Sequence, residues 1–129
     1  MSRTVSYVEI YADEDGVSHF AERSLDIADG EVAEGMQPIG RSAVFPATEC
    51  GFIAAPPGWV GGWHQPPAEG FVFVLAGAWE IETGDGEVRI FGPGSVWLHR
   101  DRSGRGHNTR VTGSDDALCV MVKFPEAGL

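Results

Sequence analysis

Positive charge is scarce in this chain. Nine lysines and arginines face 19 acidic residues, giving a net charge of −10 and a pI of about 4.6. A surface so acidic repels phosphate backbones and anionic lipid, which argues against nucleic acid and membranes as partners. It also serves simply to keep a small protein in solution. Cysteine is scarce too. Cys50 and Cys119 are the two present, each inside an apolar, strand-like run, which reads as a pair of buried, reduced thiols in a cytosolic protein. A bridge between them stays open at this point. The opening stretch MSRTVSYVEIY has no long apolar core of the signal-peptide kind. No apolar run approaches the roughly 18 residues that span a bilayer. The expected location is the cytoplasm. A sustained 3.6-residue apolar period is missing as well, so little helix is expected. Repeats, linkers and low-complexity stretches are absent, and one domain over residues 1–129 is expected.

What the chain has in excess is glycine, 18 of 129 residues, joined by 8 prolines. That is about twice the usual glycine share and points to short strands punctuated by turns. Strand patterns fall at 4–12, 51–55, 71–77, 78–83, 88–91, 95–99, 107–111 and 117–124. Residues 18–28 fit a strand better than a helix face, while 29–42 and 56–62 read as loops. The two prolines of WHQPPAEG forbid a regular central strand at 65–69, and Gly84-Asp85-Gly86 is a hairpin turn. Eight or nine short strands at this spacing predict an all-β sandwich or barrel.

Four histidines are present: His19, His64, His99 and His107. His64 follows the glycine-rich segment 58–62 and His107 follows Gly104 and Gly106. Both stand where a strand begins beside a loop, a common place for sites.

The stretch from Gly62 to Val111 resembles the two-part signature of the cupins. GGWHQPPAEGFVFVLAG stands for the first motif and FGPGSVWLHRDRSGRGHNTR for the second, with the intervening AWEIETGDGEVRI as the hairpin between them. The closer likeness is to small bacterial cupins with W-H-x-x-P and D-x-x-G-x-G-H motifs. The resemblance implies a jelly-roll β-barrel, also called a double-stranded β-helix, with core motifs over 61–111. It does not imply one reaction, because a fold of this kind hosts many.

Of the four metal-ligand positions implied by the resemblance, His64 and His107 keep a histidine, while Pro66 and Gly70 replace the other two ligands. A divalent ion held by His64 and His107 is thus conditional on further ligands, since three or more are normal. Glu69 is one residue off the ligand position and should face away by strand alternation. Without a metal, His64 and His107 are candidates for general acid and base. Asp101 either orients His107 or caps the 100–106 loop. Trp63, Val72, Val74, Trp97, His99 and Arg105 are the candidate ligand-binding residues, with Trp59 and Trp79 in the same aromatic cluster. Trp97 and His99 share a strand face and line the cavity floor if that face is inward, or a dimer face if it is outward. Val72 and Val74 should point into the barrel, leaving Phe71, Phe73 and Leu75 on an outer face suited to a homodimer. Arg100, Arg102 and Arg105 form either a basic patch for an anionic substrate group or a solvated loop, and Gly104 and Gly106 permit either a lid or a tight turn.

Three functions follow as expectations. One is a metal-independent isomerase, dehydratase or cyclase acting on a small organic molecule. The others are a metal-dependent cupin such as a dioxygenase, and a non-catalytic ligand-binding or sensing barrel.

Overall fold

The computed structural model describes residues 3–126. Eleven strands lie among them: β1 (Arg3–Ala12), β2 (Ser18–Gly30), β3 (Ile39–Arg41), β4 (Glu49–Ala55), β5 (Val60–His64), β6 (Gly70–Ala76), β7 (Ala78–Glu82), β8 (Val88–Phe91), β9 (Val96–His99), β10 (His107–Thr112) and β11 (Ala117–Lys123). No helix occurs among the described residues, so none is long and apolar enough to cross a membrane.

One sheet has seven strands in the order β3-β2-β1-β9-β6-β11-β4 and the other has four in the order β5-β10-β7-β8. Within β4–β11, the orders β4-β11-β6-β9 and β5-β10-β7-β8 are those of an eight-stranded, two-sheet jelly roll, the architecture of the cupins. β1 adds to that frame by pairing in parallel with β9, while β2 and β3 continue the sheet as antiparallel neighbours. Ile10, Phe20, Val74, Ile81, Phe91 and Val111 fill the space between the sheets. Each comes from the inward half of an alternating strand.

Two expected loops are partly strands. β2 runs on to Gly30, and Ile39–Arg41 pairs with its end as β3. Both faces there are largely exposed, so the ladder needs no apolar pattern and leaves none in the sequence. β5 begins at Val60, inside the expected glycine loop. A Cβ on Gly61 would collide with Thr109 and the Trp59 ring, so this glycine allows close packing rather than a turn. Cys50, expected to be buried, is exposed. It lies on β4, whose other side has no partner strand among the described residues. Cys119 is buried, and both thiols are free.

Phe71 does face outward from the barrel, but the chain itself covers it. Tyr7, Phe45 and Phe124 pack against its ring at centroid distances of 5.4, 5.1 and 5.4 Å. Leu75 remains exposed.

His19 joins two hairpins. Its Nε2 lies 2.7 Å from Asp13 and its Nδ1 3.2 Å from Asp85. Both ring nitrogens donate to carboxylates only when the imidazole is charged. The Asp13 hydrogen bond raises the His19 pKa above 6.5, with help from the Asp85 charge and against partial burial. A raised value means stability is fully present below pH 6.5 and is lost as pH rises through the folded value. The difference in Tm between the wild type and His19→Gln should therefore be largest near pH 5 and fade on the alkaline side. A gap that widens with pH would disprove the clamp.

Candidate active site

His64 ends β5 and His107 begins β10, and the two are directly opposed in register. Opposed residues share a face. The imidazoles meet at the barrel mouth with ring centroids 4.8 Å apart. Gly106 makes this approach feasible. Its φ is +74°, and a Cβ there would overlap the His64 carbonyl oxygen, so only glycine lets the loop lie against β5.

His107 is buried against a carboxylate. Its Nδ1 lies 2.6 Å from Oδ2 of Asp101, and the side chains are 3% and 0% exposed. The loop-cap alternative for Asp101 gives way to this contact with His107. With Nδ1–H donated to the carboxylate, Nε2 of His107 is left to exchange a proton. His64 is exposed, and its Nδ1 lies 2.8 Å from the Gly62 carbonyl. A carbonyl only accepts, so Nδ1 donates and Nε2 is again the free nitrogen.

His99 is the third imidazole. It ends β9, and its ring is stacked 6.4 Å from that of His107. Burial, followed by repulsion from His107 and His64, lowers its pKa to about 4. Near neutral pH it is an uncharged wall of the site.

Below the rings lies a cavity of about 250 Å³, lined mainly by apolar groups. Val72 lines it as parity predicts, and Trp97 and His99 line it too, so their shared face is the inward one. Val74 also points inward but is buried in the core beneath the cavity, outside its lining. Trp63 and Arg105 do not line it either. Trp63 neighbours His64 on β5, and adjacent strand residues face opposite sides. The Arg105 guanidinium instead sits over the Trp63 ring, 3.9 Å from its centroid. Residues outside the expected set complete the walls, notably Trp59, Trp79, Thr109 and Met121. Thr109 was recoverable from sequence as the residue two beyond His107. Met121 carried no signal, because β11 must first be paired with β6 to bring it here. Cys119 also lines the cavity, but burial pushes its thiol up to about 11, which makes it a poor nucleophile near neutral pH.

The basic patch dissolves into separate pairs. Arg100 contacts Glu69 at 3.2 Å, Arg102 contacts Glu126 at 3.1 Å, and Arg105 stacks on Trp63. Glu69 accordingly faces away from the imidazoles. The 100–106 loop is pinned as well. Gln65 Nε2 donates to the Gly104 carbonyl at 2.7 Å, and buried Ser18 Oγ donates to the Gly106 carbonyl at 2.7 Å. These contacts tie the segment to Ser18 and Gln65, which favours the tight-turn reading over a lid.

A divalent metal does not fit this donor set. Pro66 offers no ligand, and a Cβ on Gly70 would overlap the Val122 carbonyl oxygen. No group of three or more His, Cys, Asp or Glu side chains among the described residues is arranged to hold an ion.

The fold and its mouth thus define a small two-sheet jelly-roll barrel, with three imidazoles and a buried carboxylate at one end of an apolar cavity. No protein-family model matches the sequence, and no curated protein matches it. Among solved structures, the chain is similar to one described as an ethanolamine utilization protein Q from Salmonella typhimurium LT2. That similarity is at 15% identity and a TM-score of 0.39, covering 95% of this chain and 98% of that one.

Proposed function

We propose that this protein binds a small, flat organic molecule between His64 and His107 and moves a proton on it without a metal. The observation that carries this reading is the buried Asp101–His107 pair, set against a second imidazole over an apolar cavity. Asp101 fixes the His107 ring and stabilises the imidazolium that forms when Nε2 takes a proton. His64 supplies a second proton-exchanging nitrogen across the site. Two such groups serve an isomerisation, a dehydration or a cyclisation. In this reading the protein is a cytoplasmic member of the small bacterial cupin subgroup that its W-H-x-x-P and D-x-x-G-x-G-H motifs resemble. Its partners are the small molecule and a second copy of the chain, which would cover exposed apolar residues such as Phe52 and Leu75. Nucleic acid and membranes remain outside the reading because of the acidic surface.

A general-base probe tests the proposal before any natural substrate is known. In 5-nitrobenzisoxazole, loss of the C3 proton to a base breaks the N–O bond and releases a coloured cyanophenolate. The wild type should accelerate this elimination over buffer, and His107→Ala should lower the rate about 100-fold. Asp101→Asn should lower it in the same direction. Equal rates in the wild type and His107→Ala would overturn the catalytic reading, and retained binding of the probe would then leave a non-catalytic ligand-binding barrel.

A further inference from the structure

The peptide that precedes His107 is held by a side chain 88 positions away in the sequence. Ser18 opens β2, is 1% exposed and lies outside the cavity lining. Its Oγ is 2.7 Å from the Gly106 carbonyl oxygen and 2.7 Å from the Gly84 amide nitrogen. An amide nitrogen only donates, so the Gly84 N–H points at Oγ and the hydroxyl proton goes to the Gly106 carbonyl. The hydroxyl therefore has one orientation. It is the middle of a chain that runs from Gly84 N–H through Ser18 Oγ–H to Gly106 C=O, in which each bond polarises the next.

Ser18 is itself well anchored. Its carbonyl accepts from the Asp85 amide at 3.2 Å, and a Cβ on Gly84 would stand 3.0 Å from its nitrogen. The turn before it also reaches the His107 loop, because a Cβ on Gly104 would overlap the Gly16 carbonyl oxygen. The loop has little stiffness of its own. Gly104 and Gly106 have φ angles of +71° and +74°, and glycine has the most backbone freedom to lose. The ladder with β5 begins at His107, so the Gly106–His107 peptide lies at its end. Rotation of that peptide would turn the Cα–Cβ bond of His107. Nε2 would then move, and so would the 2.6 Å contact between Nδ1 and Asp101.

We propose that Ser18 is a positioning residue of this site: by holding the Gly106 carbonyl it fixes the backbone from which His107 presents Nε2. It acts on turnover through His107 and touches neither ligand nor cavity. The inference rests on the acid–base reading above and adds to it a residue outside the cavity. A small displacement of a proton-transferring group is enough to slow a reaction, because the reacting atoms must meet within a narrow range of distance and angle.

The experiment follows 5-nitrobenzisoxazole elimination and the ¹H resonance of the proton between His107 and Asp101. In Ser18→Ala, kcat should fall about tenfold while KM stays unchanged, because the cavity lining is intact. The shared-proton resonance should shift in the same variant. A serine that only supported the fold would lower Tm and leave both the kcat of the folded protein and that resonance where they are. Ser18→Cys keeps nearly the same volume with a weaker donor and acceptor. It should move kcat and the resonance in the same direction, and it carries the test if Ser18→Ala fails to fold. In the wild type, the Gly106 and His107 amides should show no exchange broadening on the microsecond-to-millisecond scale. An unchanged kcat or an unmoved resonance in a folded variant, or broadening at Gly106 in the wild type, would overturn the proposal. If that happens while elimination still depends on His107, only this inference falls. If elimination is independent of His107, the acid–base reading falls, and the resonance still reports whether Ser18 positions His107.

Discussion

Gly70→Glu, the change that would place a carboxylate where the cupin resemblance implies a ligand, should destabilise the barrel instead of building a metal site. Gly70 pairs with Lys123 on one side and His99 on the other. A side chain there would begin inside the Val122 carbonyl. That oxygen belongs to a strand held on both sides, by β6 and by β4, so it cannot yield without opening the sheet. Overpacking against backbone costs about 3 kcal/mol, which for a domain of this size lowers Tm by roughly 10 °C. Gly51→Ala is the control. It lies in β4, where an added Cβ meets nothing within 4 Å, and its Tm should stay near that of the wild type. Thermal unfolding of both variants, with metal analysis of Gly70→Glu combined with Pro66→His, checks the expectation. A stoichiometric divalent ion bound at unchanged Tm would refute it.

Acidification should weaken the fold through His99. In the native barrel its pKa is lowered to about 4, first by burial and then by the neighbouring imidazoles, whereas its ordinary value is 6.5. Between those values the unfolded chain binds a proton that the native chain does not. The stabilising contribution is therefore present above pH 6.5 and is lost as pH falls through about 4. At about 1.4 kcal/mol for each pH unit between the two values, the loss is about 3 kcal/mol. His19 acts with the opposite sign, so the measurement belongs in a His19→Gln background. There, denaturant-derived stability should fall between pH 7 and pH 4, and the slope should flatten in His99→Gln. Imidazole proton shifts would show the same property directly. A His99 ring titrating near its ordinary value would rule out the mechanism.

The sequence made much of the barrel legible because its information is local. Alternation placed Val72 inward and put Trp97 and His99 on one shared face, and turn residues marked where strands end. The two cupin-like motifs implied the jelly roll. The same alternation rule shows that Trp63 could never share a face with His64, so its removal from the cavity required no coordinates. Other features depended on pairing partners. The end of β2 pairs with β3 through largely exposed residues that leave no periodic mark. Cys50 lies in an apolar run yet is exposed, because β4 is an edge strand. The three arginines near His107 look like one patch in sequence, but Glu69, Glu126 and Trp63 take them in different directions.

Residue order by itself determined most of the strand content, which residues share a strand face, and the loss of ligands at Pro66 and Gly70, since each depends on neighbours along the chain. Only the tertiary structure decided that His64 and His107 face each other, that Asp101 is buried against His107, and that Trp79 and Trp97 line their cavity. Those contacts join residues whose spacing in the chain says nothing about distance in space, and the ladder pairing of β5 with β10 and β6 with β9 sets that distance.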